Sequence, residues 1–209
     1  VSHLIRRLIG TNIDLDLVHG SELGLVKVDE GQLEQVLINL AVNARDAMEK
    51  QGGGRLIIST DMYENAAPIK AGEDSMPAGR WLAISVADTG HGIAQEDMAH
   101  IFEPFFTTKS VGEGTGLGLA TVYGIIRQTG GYMHVDSTLG DGTTFTIYLP
   151  ALSEDEIAAE AEKADEAEDE TPHDLTGTAR IMLVEDEDAV RAFSARALAN
   201  KGYDVIEAD

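Results

Sequence analysis

Asn39, Asn43 and Asp46 fall on one side of a single helical stretch. A second carboxylate, Asp88, follows a strand-like run and directly precedes Thr89-Gly90-His91-Gly92-Ile93. Polar amides beside an apolar helix face have to be satisfied, because burying them without a partner costs free energy. In isolation an N-x-x-x-N pair most often meets a nearby loop. A carboxylate at a strand end can accept a hydrogen bond from the exocyclic amine of adenine, and Gly90 and Gly92 let the backbone come close to a base. Further on, Gly112-Glu113-Gly114-Thr115-Gly116-Leu117-Gly118-Leu119 runs into a helix, where successive N–H groups and the helix dipole favour a phosphate. Thr107, Thr108 and Lys109 end the segment Phe102-Glu103-Pro104-Phe105-Phe106 and can face phosphate oxygens, whereas its aromatics can simply anchor a loop. Thr143 and Thr144, behind Gly140-Asp141-Gly142, can reach a base pocket through water. Each pattern is weak alone, and their common order and spacing make them informative together.

The helix that must carry the asparagines spans Asp29–Lys50. Leu33, Val36, Leu37, Leu40, Ala41, Ala44, Ala47 and Met48 form its apolar face, Asp29 can cap it with Gln32 at the capping-box position, and Gly52–Gly54 stop it. Val1–Gly10 reads as a helix end or connector. Alternation predicts a strand over Ile13–Leu17, and apolar runs predict others over Leu23–Val28, Arg55–Asp61 and Arg80–Ala87. Met62–Gly79, with Pro68, Pro77 and two glycines and no periodicity, is expected to be a surface loop. A short helix is expected over Gln95–Ile101, a second over Leu117–Gln128, and a hairpin from Tyr132–Ser137 and Thr143–Leu149. Interspersed strands and helices with a hairpin favour a mixed-sheet α/β sandwich over a doubly wound parallel sheet.

The chain has 209 residues, 43% of them hydrophobic, and 15 basic against 37 acidic side chains give a net charge of −22. That charge opposes non-specific binding to nucleic acid or to anionic membranes, so no nucleic-acid partner and no membrane contact are expected of these residues. No cysteine is present, which excludes disulfides and thiolate metal sites. No apolar run has the length of a membrane span. Residues 151–178 hold 11 acidic residues against Lys163 alone and almost no large apolar side chain, so an acidic disordered linker is expected there. Arg180–Val184, Glu185-Asp186-Glu187-Asp188, the helical spacing of Val190, Phe193, Ala197 and Leu198, and Tyr203–Ile206 begin another strand–helix–strand unit. Paired carboxylates after a strand suit a hard cation that takes oxygen ligands.

Taken together, Asp29–Pro150 resembles the ATP-binding catalytic domain of bacterial sensor histidine kinases. Asn39–Met48 is similar to that family's N box, Asp88–Ile93 to its G1 box, Phe102–Lys109 to its F box, Gly114–Leu119 to its G2 box and Gly140–Phe145 to its G3 region. The resemblance implies a two-layer α/β sandwich of the Bergerat type, a mixed sheet packed on about three helices, binding Mg·ATP under a lid. It implies that Asn43 ligates Mg²⁺ with help from Asn39, that Asp46 belongs to the ATP site, and that Asp88 reads adenine with Gly90, Gly92 and Ile93 lining the base. It also implies that Phe105, Thr107, Thr108, Lys109, Gly114, Thr115, Gly116, Leu117, Gly118 and Leu119 surround the phosphates, with Thr143 and Thr144 at the base. Asn39, Asn43 and Lys109 carry the chemistry in this reading.

Ile181–Asp188 resembles the start of a receiver domain, with Glu185 and Asp186 as its acidic pair. The whole is then similar to a hybrid two-component kinase, and its wording to the cell-cycle regulators of alphaproteobacteria. The expected domains are 1–12 (end of a dimerisation helix), 13–150 (catalytic), 151–178 (linker) and 179–209 (partial receiver). Partners implied are a dimerisation domain bearing the phosphoacceptor histidine, the receiver and a downstream phosphotransfer protein. A cytoplasmic location is implied for these residues, with the full-length protein anchored in the bacterial inner membrane. None of the six histidines has a phosphoacceptor's sequence context, and His91 reads as a pocket-edge residue.

Related ATPases of this fold carry a glutamate where Asn39 stands. An amide cannot take a proton from water, so phosphoryl transfer is favoured over a GHKL-type ATPase or a nucleotide-sensing module. Finally, Tyr123 and Arg127 lie four apart on the second helix, with Tyr132 and His134 just beyond. Planar groups of this kind can stack on a base, which makes them a candidate regulatory site for cyclic di-GMP.

Overall fold

Asp29 starts the helix that the rest is built on. Its carboxylate accepts the Gln32 N–H at 2.8 Å, and helix α2 runs from Glu30 to Glu49. The computed structural model describes residues 2–71, 74–109, 114–160, 177–185 and 188–208. Before α2 come α1 (Ser2–Ile9) and β1 (Ile13–His19); after it come β2 (Gly54–Asn65), β3 (Ile69–Ala71), β4 (Asp74–Met76) and β5 (Gly79–Asp88). Helix α3 (Gly118–Gln128), β6 (Tyr132–Thr138) and β7 (Gly142–Pro150) complete the domain. The main sheet has the order β1-β2-β5-β7-β6, with β1 parallel to β2 and every other pair antiparallel. It is the mixed-sheet sandwich that the sequence implies.

One face of the sheet meets the helices. Val36, Leu40, Ala41 and Met48 of α2 and Val122 and Ile126 of α3 pack with Leu56, Val86, Ile147 and Leu149 from the strands. Ile5 and Ile9 of α1 join this core at 2% and 4% exposure. Leu40 is 1% exposed, and Leu40→Ala is expected to lower the unfolding free energy by about 2–5 kcal/mol, read as a shift in urea midpoint at constant slope.

Three expectations are corrected. Met62–Gly79 is not a loop: β2 continues to Asn65 and a small antiparallel hairpin, β3–β4, follows. The hairpin buries Ala71 and Met76 with Trp81, Tyr63, Tyr132 and Tyr148, a second core on residues of the opposite strand parity. Asn65 fastens it, accepting from Trp81 Nε1 at 3.0 Å and donating to the carbonyls of Ala67 and Pro77. Leu23–Val28 forms no strand, only a single bridge from Val26 to Ala151. Gln95–Ile101 is a run of turns with three-residue bonds from Asp97 N–H to the Ala94 carbonyl and from His100 N–H to that of Asp97, not a helix. In the expected linker, residues 154–160 are helical (α4), opened by a reciprocal cap between Ser153 and Glu156; residues 161–176 lie outside the described ones.

By contact the chain divides into Val1–Ile157 and Ala158–Asp209. In the second unit β8 (Arg180–Val184) and β9 (Asp204–Ala208) pair in parallel across α5 (Asp188–Asn200), one β-α-β crossover.

Candidate functional site

Helix α2 presents the polar strip as its spacing requires. The Asn39 amide oxygen accepts from Gln35 Nε2 at 3.1 Å, and its nitrogen lies 3.5 Å from the Gly118 carbonyl at the start of α3. Asn43 is half-buried one turn further on, and a Cβ on Gly118 would stand 3.8 Å from its amide nitrogen. Next along the strip, Asp46 receives the Lys109 ammonium at 2.5 Å and the Arg45 guanidinium at 2.7 Å. Burial pushes the Asp46 carboxyl up, but hydrogen bonds and charge from Lys109 and Arg45 outweigh it and hold the pKa below the ordinary carboxylate range. Asp46 therefore stays ionised at neutral pH, and a lysine from 63 residues away is brought onto the asparagine helix.

The other end of the site is assembled by strand register. Asp88, Thr143 and Ser137 stand in one row across β5, β7 and β6. Asp88 is 9% exposed and its Oδ1 accepts the Gly90 N–H at 2.8 Å. Burial pushes its pKa up, and the N–H groups of Gly90 and Thr143 and the charge of His91 offset this only in part. Ser137, which no sequence motif points to, holds the row: its hydroxyl accepts from Ile93 N–H at 2.8 Å, donates to the Gly142 carbonyl at 2.9 Å and meets the Thr143 hydroxyl at 2.9 Å. Only alignment of β6 with β7 reveals it. Thr144 pairs with Ala87 and Asp136, so the alternation of β7 turns it to the opposite face of the sheet from Thr143.

The two glycines are forced. At Gly92, φ is +70° and a Cβ would lie 2.1 Å from the Thr138 carbonyl oxygen; at Gly90 it would lie 2.6 Å from the Ala47 Cβ. The His91 N–H bonds the Ala47 carbonyl at 3.2 Å, which ties the glycine turn to α2 and makes Ala47 a second site residue the motifs do not name. A ligand amine hydrogen-bonding ionised Asp88 is expected to bind more weakly on acidification, and sooner than an ordinary carboxylate would require, because the Asp88 pKa is raised. Nucleotide titrations between pH 8 and 5, with fold monitored by circular dichroism, check this.

Along residues 102–119 the aromatics divide. Phe102 and Phe106 pack against the core, while Phe105 is 74% exposed with φ of 69° and donates its N–H to the Gly116 carbonyl at 2.9 Å. Thr107 and Thr108 are exposed, and Thr107 Oγ1 accepts the Lys109 N–H at 3.2 Å. Gly114 abuts both Thr107 and Lys109, since a Cβ there would lie 2.9 Å from the threonine hydroxyl. Thr115 and Leu117 are exposed, Leu119 packs on the core, and α3 begins at Gly118 with no side-chain cap, leaving first-turn N–H groups for an anion. Residues 110–113 lie outside the described ones.

Among the described residues no three His, Cys, Asp or Glu side chains form a metal cluster. A divalent ion at Asn43 and Asn39 would thus take most of its oxygen ligands from phosphates and water, a donor set that fits Mg²⁺. The structure brings together Tyr123, Arg127 and Tyr132: Arg127 lies 5.4 Å over the Tyr132 ring, and Arg127 and the Tyr123 hydroxyl both reach Asp74 of β4 at 3.0 Å. Tyr123 stacks on Phe102, and His134 is exposed on β6. In the second unit Glu185 follows β8, while Asp186 falls outside the described residues.

Residues 28–153 match the family described as histidine kinase-, DNA gyrase B- and HSP90-like ATPase. The chain is 50% identical over 98% of its length to sensor kinase CckA of Brucella abortus (strain 2308), covering 22% of that protein. To sensor histidine kinase ZraS of Escherichia coli (strain K12) it is 41% identical over 66% of its length and 26% of ZraS, so the chain spans about a quarter of these relatives. Among solved structures, full-length ShkA in complex with AMPPNP matches with TM-score 0.53 and 27% identity over 99% of this chain and 39% of ShkA. The nucleotide-free catalytic domain of histidine kinase ThkA matches with TM-score 0.52 and 32% identity over 72% of this chain and 84% of that domain.

Proposed function

As this chain belongs to the histidine kinase-, DNA gyrase B- and HSP90-like ATPase family, with the ATP-binding catalytic domain of a sensor histidine kinase as its folded core, we propose that it passes the γ-phosphate of Mg·ATP to a histidine on a separate dimerisation domain. The observation that carries transfer over hydrolysis is position 39. Its amide is engaged with Gln35 and the Gly118 carbonyl, and an amide cannot act as general base on water. Positioning and charge neutralisation then do the work, through Lys109, Asn43 and the N–H groups ahead of α3. Bound Mg²⁺, held by the Asn43 amide with Asn39 assisting from one turn away through the start of α3, would neutralise phosphate charge. Asp88 orients the base. The test is a γ-labelled ATP time course, with the chain alone and then with a separately expressed dimerisation module. Label is expected on the module with negligible free phosphate from the chain alone; rapid phosphate release without the module would favour the ATPase reading.

The same proposal extends to residues 179–209 as the start of a receiver, with Glu185 and Asp186 as its acidic pair, supported by the β8-α5-β9 crossover. It also includes cyclic di-GMP as a regulator at Tyr123, Arg127, Tyr132 and His134, supported by the guanidinium–ring stack of Arg127 on Tyr132. Tyr123→Ala is expected to abolish a cyclic di-GMP titration while leaving ADP binding within about twofold. The domain boundaries and the implied partners, the phosphoacceptor domain and a downstream phosphotransfer protein, belong to this reading, as does membrane anchoring of the full-length protein. No helix of the described residues is long and apolar enough to cross a membrane.

A further inference from the structure

Asp46 divides its carboxylate between two cations. Oδ2 accepts from Lys109 Nζ at 2.5 Å, and Oδ1 from Arg45 Nε and Nη2 at 2.9 and 2.7 Å. The remaining Arg45 nitrogen, Nη1, donates to the carbonyl of Leu8 at 3.2 Å. Leu8 lies in the last turn of α1, whose carbonyls have no partner within the helix, so Arg45 caps α1 from outside. A continuous set of charge-assisted bonds therefore runs from the phosphate-facing lysine to the backbone of the N-terminal helix. The set is half-shielded: side-chain exposure is 35% for Lys109, 19% for Asp46 and 39% for Arg45. Its members depend on each other, because a carboxylate neutralised by lysine attracts arginine less than one that is not.

We propose that Asp46 is a positioning residue that couples occupancy of the phosphate site to the docking of α1. While Lys109 occupies Oδ2, the Nε–Nη2 fork of Arg45 is confined to Oδ1 and its Nη1 stays on the Leu8 carbonyl. A polyphosphate that draws Lys109 away frees Oδ2, so the guanidinium re-seats across both carboxylate oxygens, Nη1 leaves the Leu8 carbonyl, and the end of α1 loosens. The step rests on the reading of Lys109 as a phosphate ligand. It gives the first helix a means of sensing the nucleotide without touching it.

Hydrogen exchange of the whole chain, read by mass spectrometry over residues 2–9, tests the coupling, with ADP and the ATP analogue AMPPNP as probes at saturating Mg²⁺. In the unaltered protein, exchange of α1 is expected to rise several-fold with AMPPNP and less with ADP. Lys109→Gln should show the raised exchange without nucleotide, and Arg45→Gln, which removes the link to Leu8 but no residue of the nucleotide site, should bind AMPPNP yet leave α1 unresponsive. Unchanged α1 exchange in the AMPPNP-saturated protein would overturn the proposal, as would a full response retained in Arg45→Gln. Failure of the unaltered protein to bind AMPPNP would overturn the proposed function instead, and the nucleotide-free comparison of Lys109→Gln with the parent would still decide the coupling.

Discussion

Asp88→Asn is expected to weaken ATP binding by about 100-fold while leaving thermal stability unchanged or slightly raised. The two readouts part because the carboxylate works against the fold and for the ligand. Asp88 is buried, and its raised pKa means that ionisation is disfavoured in the folded state. For an acid shifted this way, the stability penalty is absent below its unfolded pKa and grows as pH rises through the folded value, so at neutral pH the penalty is present. Asparagine removes it at nearly constant shape. Binding fares worse. Oδ1 already accepts the Gly90 N–H at 2.8 Å, and an adenine amine needs the other acceptor. Asparagine has one acceptor and one NH₂, so either Gly90 or adenine must face a donor. One unmatched buried pair costs about 1–3 kcal/mol, and the lost charge assistance adds to it. Calorimetric ADP titration beside differential scanning calorimetry reads both; a fall in melting temperature matching the loss of affinity would mean Asp88 is a structural residue.

Much of this site is legible in the sequence because helix periodicity and glycine need little context. The apolar stripe of α2 fixes which residues face the core, and hence that Asn39, Asn43 and Asp46 share the adjoining strip. Asp29 at its cap behaves as its residue type predicts. Gly92 could be picked out because positive φ and close packing leave no alternative. Strand register is different, since it is decided by partners distant in the chain. Thr143 and Thr144 are equivalent as sequence, yet pairing with β5 and β6 sends one to Asp88 and the other to the opposite face. Ser137 becomes a site residue through the same pairing. The β3–β4 hairpin escapes detection because three-residue strands carry no measurable alternation, and their apolar partners, Trp81, Tyr132 and Tyr148, lie elsewhere. Phe102, Phe105 and Phe106 differ in burial although the sequence treats them alike, because the backbone at Phe105 adopts φ of 69° and turns it outward.

The chemical step should be the most sensitive to Asn43. Asn43→Ala is expected to reduce phosphotransfer to an added dimerisation module by about 10²–10³-fold, the scale found when one preorganised electrostatic partner is removed. Affinity for ADP without Mg²⁺ should change by less than about threefold, since on the proposed reading the base end is held by Asp88 of β5, Gly90 in the turn after it and Ser137 of β6 rather than by Asn43. Two roles for the amide predict different rescues. If its oxygen ligates a divalent ion, Asn43→Asp supplies an equivalent oxygen with added charge, and should recover activity and lower the Mg²⁺ concentration needed for half-maximal rate. If its nitrogen donates to a phosphate oxygen, aspartate replaces a donor with a repelling anion and should be worse than alanine. Asn39 gives the internal comparison: its amide is already engaged with Gln35 and the Gly118 carbonyl, so Asn39→Ala should act by loosening the start of α3. A defect at position 39 that Mg²⁺ does not relieve, beside one at position 43 that aspartate does, would assign the metal to Asn43 and the anchoring of α3 to Asn39.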